Sequence, residues 1–163
     1  SLHTDNFVRL NNDNPLSVFR MNAFKPMRLV DKVYATPRVS ARYVMSDQAP
    51  NIYRNFVGGR IDGHYLPQQI ALQGSTGMEM LDNMVVSADA GIHFNFAPNN
   101  YLYTNVNYTL HNNHLHTLLE GESFLGINVG YSYLSIVGPL RAELGYSGLS
   151  KRFHPYLSIG YYF

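Results

Sequence analysis

Residues 84–96 read MVVSADAGIHFNF, and every second residue of this stretch, beginning with Met84, is apolar. The positions between them are mostly polar or small, with Asp89 and His93 among them. Successive side chains of a β-strand point to opposite faces, whereas a helix would scatter these residues around its circumference. The pattern therefore predicts a strand with one apolar face and one polar face.

The same alternation recurs in four later segments, at residues 102–110, 125–133, 140–146 and 157–163. Short turn sequences (APNN at 97–100 and VGP at 137–139) and longer loops (111–123 and 150–152) separate these segments. Residues 84–163 are thus predicted to form five strands. Strands of about 9–11 residues with one apolar side are typical of membrane-spanning β-barrels.

The composition agrees with a membrane barrel. Charged residues make up 14% of the chain, against about 25% in soluble domains, and there are 13 Tyr and 9 Phe. Such a chain suits a lipid-facing exterior around a polar interior. The net charge of +1 gives no electrostatic case for nucleic acid, and the lack of cysteine excludes disulfides, thiolate metal sites and a cysteine nucleophile. No run of about 18 apolar residues is present, which excludes transmembrane helices.

The first half of the chain is less regular. About three strands are predicted within residues 1–46, at 5–11, 17–25 and 33–45, the last two joined by a turn near 28–32. Pro37 interrupts the third run, which favours an edge or bulged position. Residues 47–83 lack sustained alternation and predict a long inward or extracellular loop. The whole chain, 1–163, is predicted to be a single all-β domain, a transmembrane antiparallel β-barrel of about eight strands.

Three sequence features resemble the C-terminal half of the outer-membrane assembly-factor barrels, the BamA and TamA superfamily. NFVGG at 55–59 opens a long loop before the last five strands, VGPLRAEL at 137–144 resembles a hairpin motif of the family, and YLSIGYYF at 156–163 is a terminal strand that finishes in Phe. The chain is most similar to the barrels fused behind a patatin-like phospholipase domain in Bacteroidetes. The resemblance covers residues 16–163.

This resemblance implies an outer-membrane protein of a Gram-negative bacterium that anchors or translocates an attached domain, here a patatin-like phospholipase domain upstream of Ser1. It also implies contact with outer-membrane lipids and with the periplasmic and outer-membrane assembly machinery. The assembly signal would be the apolar positions of the last strand, Leu157, Ile159, Tyr161 and Phe163. The chain has no G-x-S-x-G motif, so the barrel itself is predicted not to be an enzyme, and no cofactor is expected.

In the family, the inward-folded loop carries an Arg-Gly-aromatic motif whose Arg pairs with acidic residues on the inner barrel wall. The corresponding place here reads Asp62-Gly63-His64-Tyr65, with Asp62 where Arg is expected, and Arg60 is the candidate substitute. The resemblance therefore implies ion pairs from Arg60 to Asp89 and Glu143. The loop and lumen residues so implicated are Gly58, Gly59, Arg60, Asp62, Gly63, Tyr65, Asp89, Arg141 and Glu143.

Two alternatives for closure remain open. The family barrel has sixteen strands and this chain has material for about half, so it is either a C-terminal fragment or a self-closed barrel. A fragment would pair with a second copy, a partner chain or the missing strands. A self-closed chain would be a structural or adhesive eight-stranded barrel of the OmpA or OmpX type. No leader sequence follows Ser1, so an exported protein would be present here as a mature form or an internal piece.

Two polar clusters also have alternative readings. His111, His114 and His116 lie in the predicted loop 111–123, where a solvated loop is favoured over a metal site. Five arginines are predicted to face the interior, where a charge network with the inner acidic residues is favoured over an anion-selective pore. These arginines are Arg9, Arg20, Arg38, Arg42 and Arg141.

Overall fold

The structure is a computed structural model that describes residues 2–9, 16–46, 49–59, 66–75 and 77–160. The strands are β1 (Leu2–Arg9), β2 (Leu16–Phe24), β3 (Met27–Val30), β4 (Val33–Val44), β5 (Asn55–Gly58), β6 (Gln69–Ile70), β7 (Met78–Leu81), β8 (Met84–Ala97), β9 (Asn100–Asn112), β10 (Glu122–Ser135), β11 (Gly138–Ser147) and β12 (Arg152–Ile159). Short 3-10 turns lie at Asn51–Tyr53 and Leu115–Glu120. Within the described ranges, no helix has the length and apolar character needed to cross a membrane.

The main sheet has the order β1-β2-β4-β8-β9-β10-β11-β12, and all neighbouring strands are antiparallel. Strand β3 extends it by pairing with the start of β4. A second, three-stranded sheet of order β6-β5-β7 lies between β4 and β8 in sequence. The prediction of an all-β, antiparallel fold is therefore confirmed. In the part of the chain that the structure describes, no backbone pairing joins β1 to β12.

The register of the main sheet gives it two chemically distinct faces. Ile127 of β10 lies opposite Val106 of β9 and Tyr146 of β11, so apolar residues meet across the strands on one face, the outer face. On the other, the inner face, Asn128 lies opposite Asn105 and the glycine of β11 at 145. Because side chains alternate along every strand, this pairing extends both faces across the sheet.

Exposure of the two faces is the reverse of that in a soluble protein. On the outer face, Val129 is 57% exposed and Leu157 is 80% exposed, with many more apolar residues beside them. On the inner face, Asn107, Asn128 and Thr109 are at most 2% exposed. Soluble proteins bury apolar side chains and expose polar ones. An apolar exterior around a buried polar interior is the arrangement of a transmembrane barrel wall.

The apolar core consists of two small clusters that lie between the inner face and the segment joining β4 to β8. One is formed by Leu16, Val18, Val44 and Ala49, with Tyr53 packed against them. The other is formed by Val57, Ile70, Leu72 and Val85, with Leu81, Phe124 and Leu149 at its margin. The second cluster therefore holds the small three-stranded sheet, through Val57 and Ile70, against Val85 of the main sheet, which is called the wall below.

Pro37 lies in the interior of the sheet, not at its edge. On one side it pairs with Ala90 of β8, and on the other its carbonyl accepts a hydrogen bond from the N–H of Lys25 at 3.2 Å. Lys25 falls in the gap between β2 and β3. Since the N and carbonyl of a strand residue point to the same neighbour, the nitrogen of Pro37 also faces this gap. The expected edge or bulge is thus replaced by a break in the neighbouring strand.

Candidate functional site

The segment between β4 and β8 (residues 45–83) is called the inward loop, and its described parts at 49–59 and 66–75 fold back over the inner face of the sheet. Val57 and Leu72 of this loop are fully buried and pack in one cluster with Val85 of the wall. Within the loop, β5 pairs in parallel with β6 and antiparallel with β7. The loop is therefore a folded insert with its own small sheet, which its irregular sequence pattern did not predict.

The two ends of the inward loop are tied together at their root. Arg42 of β4 donates to the carbonyl of Tyr53 at 2.9 Å and to Oδ1 of Asn55 at 2.5 Å. The side-chain amide of Asn55 then donates to the carbonyls of Asp82 and Asn83 at 2.7 and 2.8 Å. Asn55 is completely buried. The buried Asn55 amide is thus hydrogen-bonded both to Arg42 of β4, before the loop, and to the carbonyls of Asp82 and Asn83, at its return. These bonds fix the positions at which the loop leaves and re-enters the wall.

The far end of the loop contacts the wall where the wall has glycines. A Cβ added at Gly145 of β11 would collide with the Cα of Gly74, and one added at Gly126 of β10 would collide with the carbonyl of Gln73. Gly74 itself has a φ of 75°. The loop backbone therefore approaches the sheet at a distance that only glycine side chains on the wall permit.

Gln73 joins the loop to a hydrogen-bonded cluster on the inner face, the Gln73 network, formed by Gln73, Asp89, Tyr103, Asn128 and Glu143. The Gln73 amide donates to Asp89 Oδ2 at 3.2 Å and its carbonyl oxygen accepts from Asn128 at 2.9 Å. Asn128 also donates to Glu143 Oε1 at 3.1 Å, and the Tyr103 hydroxyl donates to Glu143 Oε2 at 2.7 Å. Asp89 and Glu143 thus each accept hydrogen bonds from neutral donors.

A cavity of about 570 Å³ lies below the Gln73 network, toward the end of the sheet that carries the short turns. Leu134 and Pro139, which flank the β10–β11 turn, line that end. The lining includes four charged residues and one histidine: Arg38, Asp89, Arg141, Glu143 and His93. The guanidinium of Arg38 also lies 5.2 Å from the ring centre of Phe24. Among the described residues of the inward loop, Gln73 lines this cavity.

His111 lies on the sheet and not in the loop in which the sequence pattern placed it. Strand β9 continues to Asn112 because Thr109 and His111 keep the inner-face alternation, so the interpretation of 111–123 as one loop is wrong at its start. The side chain is 8% exposed and its Nδ1 lies 2.9 Å from Asp82 Oδ2. His114 and His116 stack on each other at 5.5 Å in the following turn. Among the described residues, no three potential ligands converge on a metal site.

The structure describes some of the implicated residues and not others. Gly58 ends β5 with a φ of 132°, and the N–H of Gly59 donates to the carbonyl of Gly77 at 3.1 Å. Leu157 and Ile159 project from the outer face, about 80% exposed. Arg60, Asp62, Gly63, Tyr65, Tyr161 and Phe163 lie outside the described residues.

Of the five predicted interior arginines, Arg20, Arg38, Arg42 and Arg141 are on inner-face positions of their strands, and Arg20 donates to the carbonyl of Pro67. The side chain of Arg9 lies outside the described residues.

Residues that sequence analysis missed are the amides Asn55, Gln73 and Asn128. Asn128 had a signal in its place among the alternating polar positions of β10, and Asn55 had one as the first residue of the NFVGG motif, whereas Gln73 had none.

Comparison with known proteins gives one family. The sequence model of the OMP85 superfamily matches residues 5–163, which includes the inward loop and nearly all of the main sheet. No curated protein sequence matches the chain.

Proposed function

The chain belongs to the OMP85 superfamily, and from that membership we propose that it is the membrane-embedded part of a translocation or anchoring protein. Proteins of this superfamily are outer-membrane β-barrel proteins of Gram-negative bacteria, and they generally serve transport or assembly. The observation that carries the proposal is the reversed exposure of the sheet, with an apolar outer face and a buried polar inner face. Such a wall is stable only where hydrocarbon covers the outer face.

The inward loop is proposed to brace the lumen and to close it. It is held at its root by Arg42 and Asn55, and at its far end by Gln73 and Gly74. The cavity extends from the Gln73 network toward the short-turn end, and a passenger that entered from that end would meet the loop at Gln73. Transport in this mechanism involves no covalent chemistry and requires the loop to move away from β10 and β11.

Arg60 is proposed to strengthen that closure by pairing with Asp89 and Glu143. The position of its neighbours supports this: the carbonyl of Gly59 accepts from the N–H of Leu72 at 3.0 Å, and the next residue, Gln73, reaches Asp89. Gly59, the residue before Arg60, is therefore hydrogen-bonded to Leu72, and the residue after Leu72 is hydrogen-bonded to Asp89. Arg60→Ala should lower the unfolding midpoint and loosen the loop, whereas an unchanged protein would remove this role.

The size of the inward loop supports a barrel wider than eight strands. An eight-stranded barrel is filled by its own side chains, whereas here the inner face carries a three-stranded insert and a cavity of about 570 Å³. Further strands, from upstream in the same polypeptide or from a second copy, are proposed to complete it. Among the described residues, β1 pairs with β2 and β12 pairs with β11, and the opposite side of each strand has no partner strand, so further strands could extend the sheet at either edge. A small self-closed barrel predicts instead that residues 1–163 refold alone as a heat-modifiable monomer.

The passenger is proposed to be a patatin-like phospholipase domain upstream of Ser1, on the basis of the resemblance of the barrel to such fusions. The gene sequence upstream of the codon for Ser1 tests this directly. A G-x-S-x-G motif followed by a linker would support this proposal. An upstream segment without such a domain would contradict the proposed passenger and leave the proposed membrane barrel unaffected.

Reversible locking of the loop tests the transport proposal. The chain has no cysteine, so Gln73→Cys with Asn128→Cys gives one pair, which a short cleavable thiol cross-linker can join across the hydrogen-bonded site. The full-length protein is measured in planar bilayers and for surface exposure of its passenger, before and after cleavage. Locking should abolish both activities and cleavage should restore them. Equal activity in the two states would contradict the gating role, and a periplasmic passenger in both would indicate anchoring only.

A further inference from the structure

His111 has one satisfied ring nitrogen and one unsatisfied one. Its Nδ1 lies 2.9 Å from Asp82 Oδ2, while its Nε2 is buried without a hydrogen-bond partner. The nearest acidic atom to Nε2 is Glu122 Oε2, at 3.9 Å. The ring also stacks on Phe124 at 5.0 Å, which holds its orientation. A buried polar atom without a partner is costly and calls for a physical explanation.

The partner of His111 belongs to the inward loop. Asp82 lies between β7 and β8, where the loop returns to the wall, and its carbonyl accepts the Asn55 amide at the root. His111 is on β9, a strand of the wall, and Glu122 begins β10. One imidazole therefore stands between a carboxylate of the loop and a carboxylate of the wall.

We propose that His111 is a proton-controlled latch that fixes the returning end of the inward loop to the wall. The neutral imidazole donates from Nδ1 to Asp82 and leaves Nε2 without a donor, facing the Glu122 carboxylate, whose side chain is 81% exposed. Protonation adds a second N–H, so the imidazolium lies between two acceptors and attracts both. The latch is tighter when His111 is protonated and looser when it is neutral.

Two carboxylates and one apolar side chain face His111 from the neighbouring elements. The described acidic groups within 4.0 Å of its ring nitrogens are Asp82 and Glu122. The residue opposite it on β8 is the apolar Val85. The turn that follows β9 carries further titratable groups, His114, His116 and Glu120, which the experiment must separate from His111.

A nitroxide label on the loop tests the proposal. Met80→Cys places a neutral, 44% exposed attachment site on β7, two residues before Asp82, in a chain without cysteine. The full chain is reconstituted in liposomes, and label motion is compared between about pH 5 and about pH 8, the range in which histidines titrate. The label should be more restrained at the lower pH. A second label at Ile136→Cys, on a fully exposed turn tip, should not respond.

The variants separate the latch from a general pH effect. His111→Gln should abolish the pH dependence at position 80, and Glu122→Gln should reduce it, while His116→Gln should leave it intact. If His111→Gln does not fold, Asp82→Asn, which keeps size and an acceptor, should also abolish it. The proposal would be overturned if the pH dependence of label motion persisted in His111→Gln or Asp82→Asn. It would also be overturned if that dependence were lost in His116→Gln or absent from the parent chain. The outcome does not depend on transport, so it can fail while the proposed function stands.

Discussion

Gly145 of β11 and Gly74 of the inward loop are in direct backbone contact. A Cβ added at Gly145 would collide with the Cα of Gly74, and the backbone of Gly74 in turn lies against Tyr146. The wall and the loop are therefore fitted to each other at the level of main-chain atoms. A loop that merely drifted over the lumen would not need a glycine on the wall at this point.

Gly145→Ala is predicted to push the loop off the wall. The added methyl has only backbone atoms to displace, and overpacking of this kind costs about 1–3 kcal/mol. Urea unfolding of the full chain in liposomes should show this loss, and the loop should become more accessible to protease. Gly77→Ala is the matched control, since a Cβ there has no neighbour within 4 Å. Equal stability of the two variants would contradict the contact.

Asn128→Ala is predicted to uncouple the loop from the acidic residues of the wall. Asn128 is 2% exposed and donates to both Gln73 and Glu143, so its loss leaves buried acceptors with fewer donors. The expected cost is about 1–3 kcal/mol. A double-mutant cycle with Gln73→Ala measures how much of this loss in unfolding free energy comes from the hydrogen bond between Asn128 and the loop. Strict additivity of the two substitutions would show that the Gln73 network does not hold the loop.

Asn55→Ala is predicted to free the root of the loop. The substitution removes one of the two acceptors of Arg42 and the donor to the carbonyls of Asp82 and Asn83, all at buried or half-buried positions. Hydrogen exchange should accelerate throughout 55–83 while protection of β9 to β11 is kept. Asn113→Ala, at an exposed position after β9, is the control and should change neither region. Unaltered exchange in the loop would contradict the role of Asn55.

Arginine substitutions on the two faces of β10 are predicted to differ in cost. Val129→Arg puts a charge on the outer face and should cost about 2–4 kcal/mol near the bilayer centre. Ser132→Arg, three residues away, lines the polar cavity; it faces Arg141 across the strands, which adds like-charge repulsion, but it places no charge in hydrocarbon and should cost less. The free energy of unfolding in liposomes compares them. Similar costs for both would indicate that the outer face does not contact hydrocarbon.

The faces of the sheet could be predicted from the sequence because parity alone assigns each residue of a strand to a face. Once Ile127 and Val129 are known to share a face, Asn128 must lie on the other. The same logic placed Asp89 and Glu143 on the inner face before any contact was known. Family resemblance added the inward position of the loop, which residue periodicity could not provide.

The order within the loop could not be predicted because its contacts are made between residues far apart in sequence. Gln73 and Asn128 are 55 positions apart, and neither residue type indicates the other. β5, β6 and β7 are two to four residues long, too short for alternation to reveal. His111 was misassigned for a related reason: the polar residues that follow it resemble a loop, while the buried partner that holds it, Asp82, is 29 positions away.

The central claim is that hydrocarbon covers the outer face of the main sheet, and nitroxide scanning of β10 tests it most directly. Single cysteines at residues 125–133 are spin-labelled in the full chain in liposomes, and collision with oxygen is compared with collision with a water-soluble nickel reagent. We expect oxygen contact to peak at 125, 127, 129, 131 and 133 and to fall at each position between them. Absence of a two-residue period, or higher nickel contact at the odd positions, would contradict the account.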